Sequence, residues 1–163
     1  MNLDPQWVTG FVDGEGCFHV SILKQESMSL KKQVLPEFTV VQHERNIKVL
    51  YAFKSYFECG VVRRNHGDRW AYRVRGHSNL SSIIVPFFEK HELKTTKRLD
   101  FAIFRDVVQM MGKGEHLTPQ GLAIIEKCAD RMNRKGIASA LTPLHRRCIV
   151  NDLDAQQTQL QFS

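Results

Sequence analysis

The chain has 163 residues, about one domain's worth, with 42% hydrophobic and 25% charged residues, so wholesale disorder is not expected. No apolar run approaches the roughly 18 residues that span a bilayer, and Met1-Asn2-Leu3-Asp4-Pro5 lacks the basic start and apolar stretch of a signal peptide. Lys plus Arg number 23 against 17 Asp plus Glu, and the surplus of +6 suits a polyanion such as nucleic acid, or simply a solvated basic surface.

Asp4-Pro5 reads as a helix start, with Asp as N-cap and Pro at the first helical position. Trp7, Val8, Phe11 and Val12 recur at helical spacing, and Gly14 and Gly16 are expected to stop the helix. From Cys17 the period becomes two: Phe18, Val20 and Ile22 share one face, His19, Ser21 and Leu23 the other. A polar, basic loop (residues 24–33) leads to a second strand over 34–42, with Phe38 and Val40 inward. Residues 44–57 predict an amphipathic helix through Ile47, Leu50, Tyr51 and Phe57, ended by Gly60.

A hairpin follows, in which His66-Gly67-Asp68 supplies turn chemistry between strands 61–65 and 69–75. Ser78 is expected to cap a short helix that Pro86 bends or ends. Residues 96–111 predict another helix, and Thr118-Pro119 and Thr142-Pro143 two further helix starts. The segment 155–163 is polar and Gln-rich and is expected to be a loose tail to a single domain of residues 1–154.

This order predicts an α+β chain, α-β-β-α-β-β-α with further helices, whose four strands form one antiparallel sheet under the helices. Its open face is expected to carry His19, Ser21, Lys24, Glu37, Thr39, Arg63, Asn65, Arg73 and Arg75, with Cys17 beside them. Hydrogen-bonding side chains and arginines on one sheet face suit base edges and phosphates, although an ordinary solvated face is the plainer alternative. Lys31 and Lys32 in the long loop are candidate phosphate contacts or a solvated pair. The scattered cysteines (Cys17, Cys59, Cys128, Cys148) show no C-x-x-C pairing and read as reduced thiols; a zinc site with His66 or His77 lacks ligand spacing.

The sharpest signal is Val8-Thr9-Gly10-Phe11-Val12-Asp13-Gly14-Glu15-Gly16. Gly10 and Gly14 lie four apart on one helix face, where glycine costs about 1 kcal/mol relative to Ala and usually serves a close approach of backbones. Asp13 and Glu15 sit at the end of that helix, with the Glu15 carboxylate expected to project beyond it.

The segment resembles the signature helix of the LAGLIDADG homing endonucleases, with Val8-Thr9 in place of Leu-Ala and Glu15 in place of the second Asp. The strand at 17–23, Phe38-Thr-Val-Val-Gln42, Trp70-Ala-Tyr-Arg-Val74, Leu93-Lys94-Thr-Thr-Lys97 and Gly114-Glu-His-Leu-Thr-Pro-Gln-Gly-Leu122 are similar to landmarks of the organelle-intron members, over about residues 5–135. The resemblance implies that family's fold, with a four-stranded antiparallel DNA-binding sheet. It also implies divalent-metal cleavage of both strands of a long, pseudo-palindromic duplex, leaving short 3′ overhangs. Mg²⁺ is the implied cofactor, with Mn²⁺ or Ca²⁺ able to substitute for binding.

Carried over by resemblance, Glu15 is the metal ligand with the Gly14 carbonyl beside it, and Gly10, Asp13 and Gly14 belong to a dimer interface. Gln42 matches a position near the attacking water. Lys94 matches a basic residue that supports the water network and the phosphate charge, with Lys97 a second candidate. The motif occurs once in this sequence, which implies a homodimer. Two copies would carry +12, and binding should weaken steeply with salt. An intron RNA-binding splicing helper, or a non-cleaving DNA-binding protein, of the same fold is the alternative. The expected compartment is an organelle if the gene resides there, otherwise a bacterial cytoplasm.

Overall fold

The computed structural model describes residues 1–133. Thr142-Pro143, Cys148 and the expected tail at 155–163 lie outside the described residues. The first helix, α1 (Pro5–Glu15), starts as its sequence dictates: the Asp4 carboxylate accepts from the Gln6 N–H at 2.8 Å and the Trp7 N–H at 3.3 Å, with Pro5 in the first turn. Gly14 does not stop it. The helix runs through Glu15, and its last turn closes when the Gly16 N–H donates to the Val12 carbonyl. Gly16 is extended (φ −78°), so it is not needed for an unusual φ. A Cβ there would lie 2.5 Å from Val12 Cγ1, so glycine allows the chain to fold back tightly from helix to strand.

Two long strands follow, β1 (Gly16–Lys24) and β2 (Lys32–His43), then α2 (Ile47–Phe57) and the hairpin β3 (Val61–His66) with β4 (Arg69–Val74). All pairings are antiparallel and the spatial order is β1-β2-β4-β3. Phe18 faces Phe38, and Val40 faces Tyr72, so one side of the sheet is a row of buried apolar side chains. Against it pack Phe53 and Phe57 from α2 and, from the C-terminal half, α3 (His77–Asn79), α4 (Val85–Lys90), α5 (Lys97–Gly112) and α6 (Pro119–Asn133). Phe18 sits at the centre, within 5.1–5.3 Å (ring centroids) of Phe38, Phe88, Phe101 and Phe104. The α+β class and the element order are those expected.

Five local expectations are corrected. Lys24 is not on the open face: Phe18, Val20 and Ile22 point to the helices, and strand alternation carries Lys24 to that same side, opposite Lys32 at the sheet's end. Tyr51 is 49% exposed, because Leu50, Phe53 and Phe57 define the inward face of α2 and Tyr51 is turned away from it. That helix ends with Glu58 in the left-handed region (φ 53°), before Gly60. Ser78 is no cap: Gly76 precedes the helix, and the Ser78 carbonyl accepts from the hydroxyls of Ser81 and Ser82. Nor does Pro86 end that helix. A wider π turn at Leu80–Ile84 joins α3 to α4 ahead of the proline, which lacks the N–H that a regular turn would require.

Candidate active site and nucleic-acid interface

The end of α1 collects the motif residues. Asp13 is committed within its own chain: its carboxylate accepts from the Lys94 N–H at 2.7 Å, the Thr95 N–H at 3.2 Å and the Thr95 hydroxyl at 2.8 Å. This ties α1 to the segment that leads into α5. Burial alone would raise the Asp13 carboxyl, but those three donors and the charge of Lys97 outweigh it and hold the group below its ordinary value of 3.8. A folded value below the unfolded one gives stability that is complete above about pH 4 and lost as pH falls through the folded value. Asp13→Asn is therefore expected to lower the melting temperature at neutral pH. The gap to the wild type should close on acidification below about pH 4; parallel melting curves would contradict the role.

Glu15 differs. It is the last residue of α1, it is exposed, and among the described residues no hydrogen bond or ion pair engages its carboxylate. The last-turn carbonyls of a helix, Gly14's among them, lack intrahelical partners, and that end carries partial negative charge. One carboxylate plus backbone carbonyls at such an end is a hard-oxygen donor set, which fits Mg²⁺ or Ca²⁺ and not a soft metal. Among the described residues no group of three His, Cys, Asp or Glu side chains could hold an ion alone. Any ion here needs water, phosphate or a second carboxylate to complete its shell.

Two lysines flank this end in different ways. Lys97 Nζ donates to the Gly16 carbonyl, bracing the helix-to-strand corner. Lys94 is held by its own backbone N–H against Asp13, while its side chain is exposed. Gln42 extends two residues past Val40, the partner of Gly16 in the ladder, and lies on the helix side of the sheet. Its side-chain oxygen accepts from Asn46 Nδ2 at 3.3 Å. Gly10 and Gly14 are exposed, and a Cβ built on either meets nothing within 4 Å. With Trp7, which is 42% exposed and stacked 4.9 Å from Phe11, they form an uncovered stripe along α1.

The open sheet face carries Cys17, His19, Ser21, Glu37, Thr39, Arg63 and Arg73, as strand alternation requires, with Arg75 just past the end of β4 and Asn65 at a bulge in β3. The lysines at and between the ends of β1 and β2 are engaged: Lys24 and Lys31 pair with Glu26 at 3.0 and 3.6 Å, and Lys32 with Glu126 of α6. Sequence reasoning missed Thr95, whose partner Asp13 is 82 residues away, and missed that Glu37 serves other side chains of this face. Thr95 has no local signal, and of the partners of Glu37 only Thr39, two residues on along the same strand face, is local, whereas Arg75 is 38 residues away.

A signature helix with an uncommitted terminal acid, set against a four-stranded antiparallel sheet with one polar, arginine-bearing face, defines the class. The profile of the LAGLIDADG endonuclease family matches residues 8–108, and the chain belongs to that family. It is 34% identical over 122 residues to a probable intron-encoded endonuclease of Neurospora crassa, a match covering 74% of this chain and 27% of that protein. Among solved structures, the homing endonuclease I-TnaI superposes with a TM-score of 0.80 at 53% identity, covering 83% of this chain and 92% of that one. I-SmaMI, bound to uncleaved DNA in the presence of calcium ions, does so with 0.80 at 32% identity, over 90% of this chain and 50% of that one. The chain spans between about a quarter and a half of the length of the first curated relatives it matches.

Proposed function

We propose that this protein is a site-specific DNA endonuclease that works as a homodimer, cutting both strands of a long pseudo-palindromic duplex and leaving short 3′ overhangs. The observation that carries the reading is the uncommitted Glu15 carboxylate at the end of a helix whose outward stripe is Trp7, Gly10 and Gly14. Packing two such helices about a two-fold axis would bring two Glu15 carboxylates together, one for each strand. The open sheet faces would then lie along the two half-sites, as the polar and cationic side chains there favour.

Glu15 and the Gly14 carbonyl would hold a divalent cation, Mg²⁺ in the working enzyme, with Mn²⁺ or Ca²⁺ supporting binding. When bound, such an ion neutralises phosphate charge and makes water a better nucleophile at neutral pH. The chain's own groups do the rest. Lys94 offers an exposed ammonium to the phosphate, Gln42 orients water through its amide, and Asp13 and Lys97 fix the corner on which Glu15 stands. The intron-encoded relatives support a gene carried in an intron and an organelle compartment. No described helix is long and apolar enough to cross a membrane.

The test is a cleavage selection on a randomised pseudo-palindromic duplex library, with Mg²⁺ and with EDTA. Metal-dependent double-strand cuts at a defined site are the expected result. Retention of particular duplexes without cutting would leave a DNA-binding protein, and preference for structured RNA over every duplex would point to a splicing helper.

A further inference from the structure

Glu37 stands on the open sheet face with its side chain only 16% exposed, an uncommon place for a carboxylate unless it is paired. It is surrounded by donors. The Thr39 hydroxyl donates to Oε1 at 2.7 Å, Arg75 donates its Nε–H to Oε2, and Arg73 lies 3.8 Å from Oε1. The ladder explains the convergence: Thr39 faces Arg73 and Phe38 faces Val74, which carries Arg75 to the position opposite Glu37.

The two arginines are not equivalent. Arg73 is 29% exposed; a terminal amino group donates to Asn65 on β3, while its buried Nε, 3.8 Å from Glu37 Oε1, makes no hydrogen bond among the described residues. Arg75 is 62% exposed and only its Nε edge is held. Its two terminal amino groups donate to nothing else among the described residues. A guanidinium is a planar fork of five donors. Anchoring it through Nε fixes the plane and leaves the opposite edge as a parallel donor pair. That is the arrangement that meets O6 and N7 of guanine in the major groove. The same edge can also grip a phosphate bidentately, but a phosphate carries no base identity, so base selection at one position separates the two. The cluster of one acid and two arginines retains a net positive charge, so Glu37 does not cancel the attraction to DNA.

We infer that Arg75, aimed by Glu37, reads a guanine in each half-site, and that Glu37 is a positioning residue and not a base contact. This rests on the DNA-binding reading above and deepens it. The test is a binding selection on a randomised duplex library in Ca²⁺, comparing wild type, Arg75→Ala, Arg75→Lys and Glu37→Ala, each checked for folding by thermal melting. Wild type should select guanine at one position per half-site by roughly 5- to 150-fold over other bases. Arg75→Ala should lose the preference at that position alone. Arg75→Lys should keep much of the affinity with a weakened preference, and Glu37→Ala should blur the same position while the remaining positions stay sharp. An unchanged preference in Arg75→Ala would overturn the inference. So would a uniform loss across all sequences with a salt slope reduced by about one, the mark of a phosphate contact. Wild type selecting no duplex would overturn the DNA reading itself, and this inference with it.

Discussion

Glu15→Gln is expected to yield a folded protein that retains its DNA target and no longer cuts it. The substitution preserves the length and shape of the side chain and removes one negative charge. Glu15 is exposed and makes no hydrogen bond or ion pair among the described residues, so the folded chain loses no contact. An ion at the end of α1 loses its only charged protein donor from this copy. Disturbing even the outer partners of a metal ligand costs about 10- to 100-fold in metal affinity or activity, and removing the ligand should exceed that. Cleavage of a selected target is expected to fall below detection in Mg²⁺, as it should for wild type in EDTA, while affinity in Ca²⁺ changes little. Cutting at the wild-type rate would reject Glu15 as the ligand. A matched loss of affinity would mean that it helps to hold DNA.

Local rules carried most of the fold. The Asp4-Pro5 start, the alternation along β1 and β2, the hairpin turn read at His66-Gly67-Asp68 (His66 itself joins β3) and the Thr118-Pro119 start each depend on neighbours a few residues away, and each agrees with the structure. The corrections arise where a second influence competes. Gly14 would usually end a helix, but the turn closed by Gly16 carries α1 one residue past it. Lys24 opens a run of polar positions in the sequence, yet the strand's alternation continues one step further and turns it to the helix side. Tyr51 is apolar enough for a core, but α2 has only one inward face and Leu50, Phe53 and Phe57 fill it. At the site, the acids were legible because the motif is contiguous. What each acid does was not. Asp13 finds its donors 81 and 82 residues away and Glu37 finds Arg75 38 residues away, separations that no pattern in the sequence reports.

Gly10→Leu is expected to give a stable chain that stays monomeric and cannot cut. Within one chain the change should be mildly favourable: a Cβ at Gly10 meets nothing within 4 Å, the position is exposed on α1, and glycine is worse than leucine in a helix by somewhat under 1 kcal/mol. A helix with no partner would gain by that exchange, so two glycines on one stripe call for a reason outside the chain. The proposed close packing of a second α1 would supply it. There the leucine would be inserted twice about the two-fold axis, at about 1–3 kcal/mol for each overpacked contact, or about 30- to 10⁴-fold in dimer dissociation. Sedimentation should report the monomer. Emission from Trp7, 42% exposed in the single chain, should remain that of a wetter indole than in the proposed wild-type dimer. Cleavage should fail because each monomer brings only one Glu15. The helix itself would be unharmed, which separates this outcome from simple misfolding: circular dichroism and the melting temperature of the monomer should hold or rise. A Gly10→Leu protein that still dimerises and cuts would move the seam away from α1 and leave its glycines without the explanation offered for them.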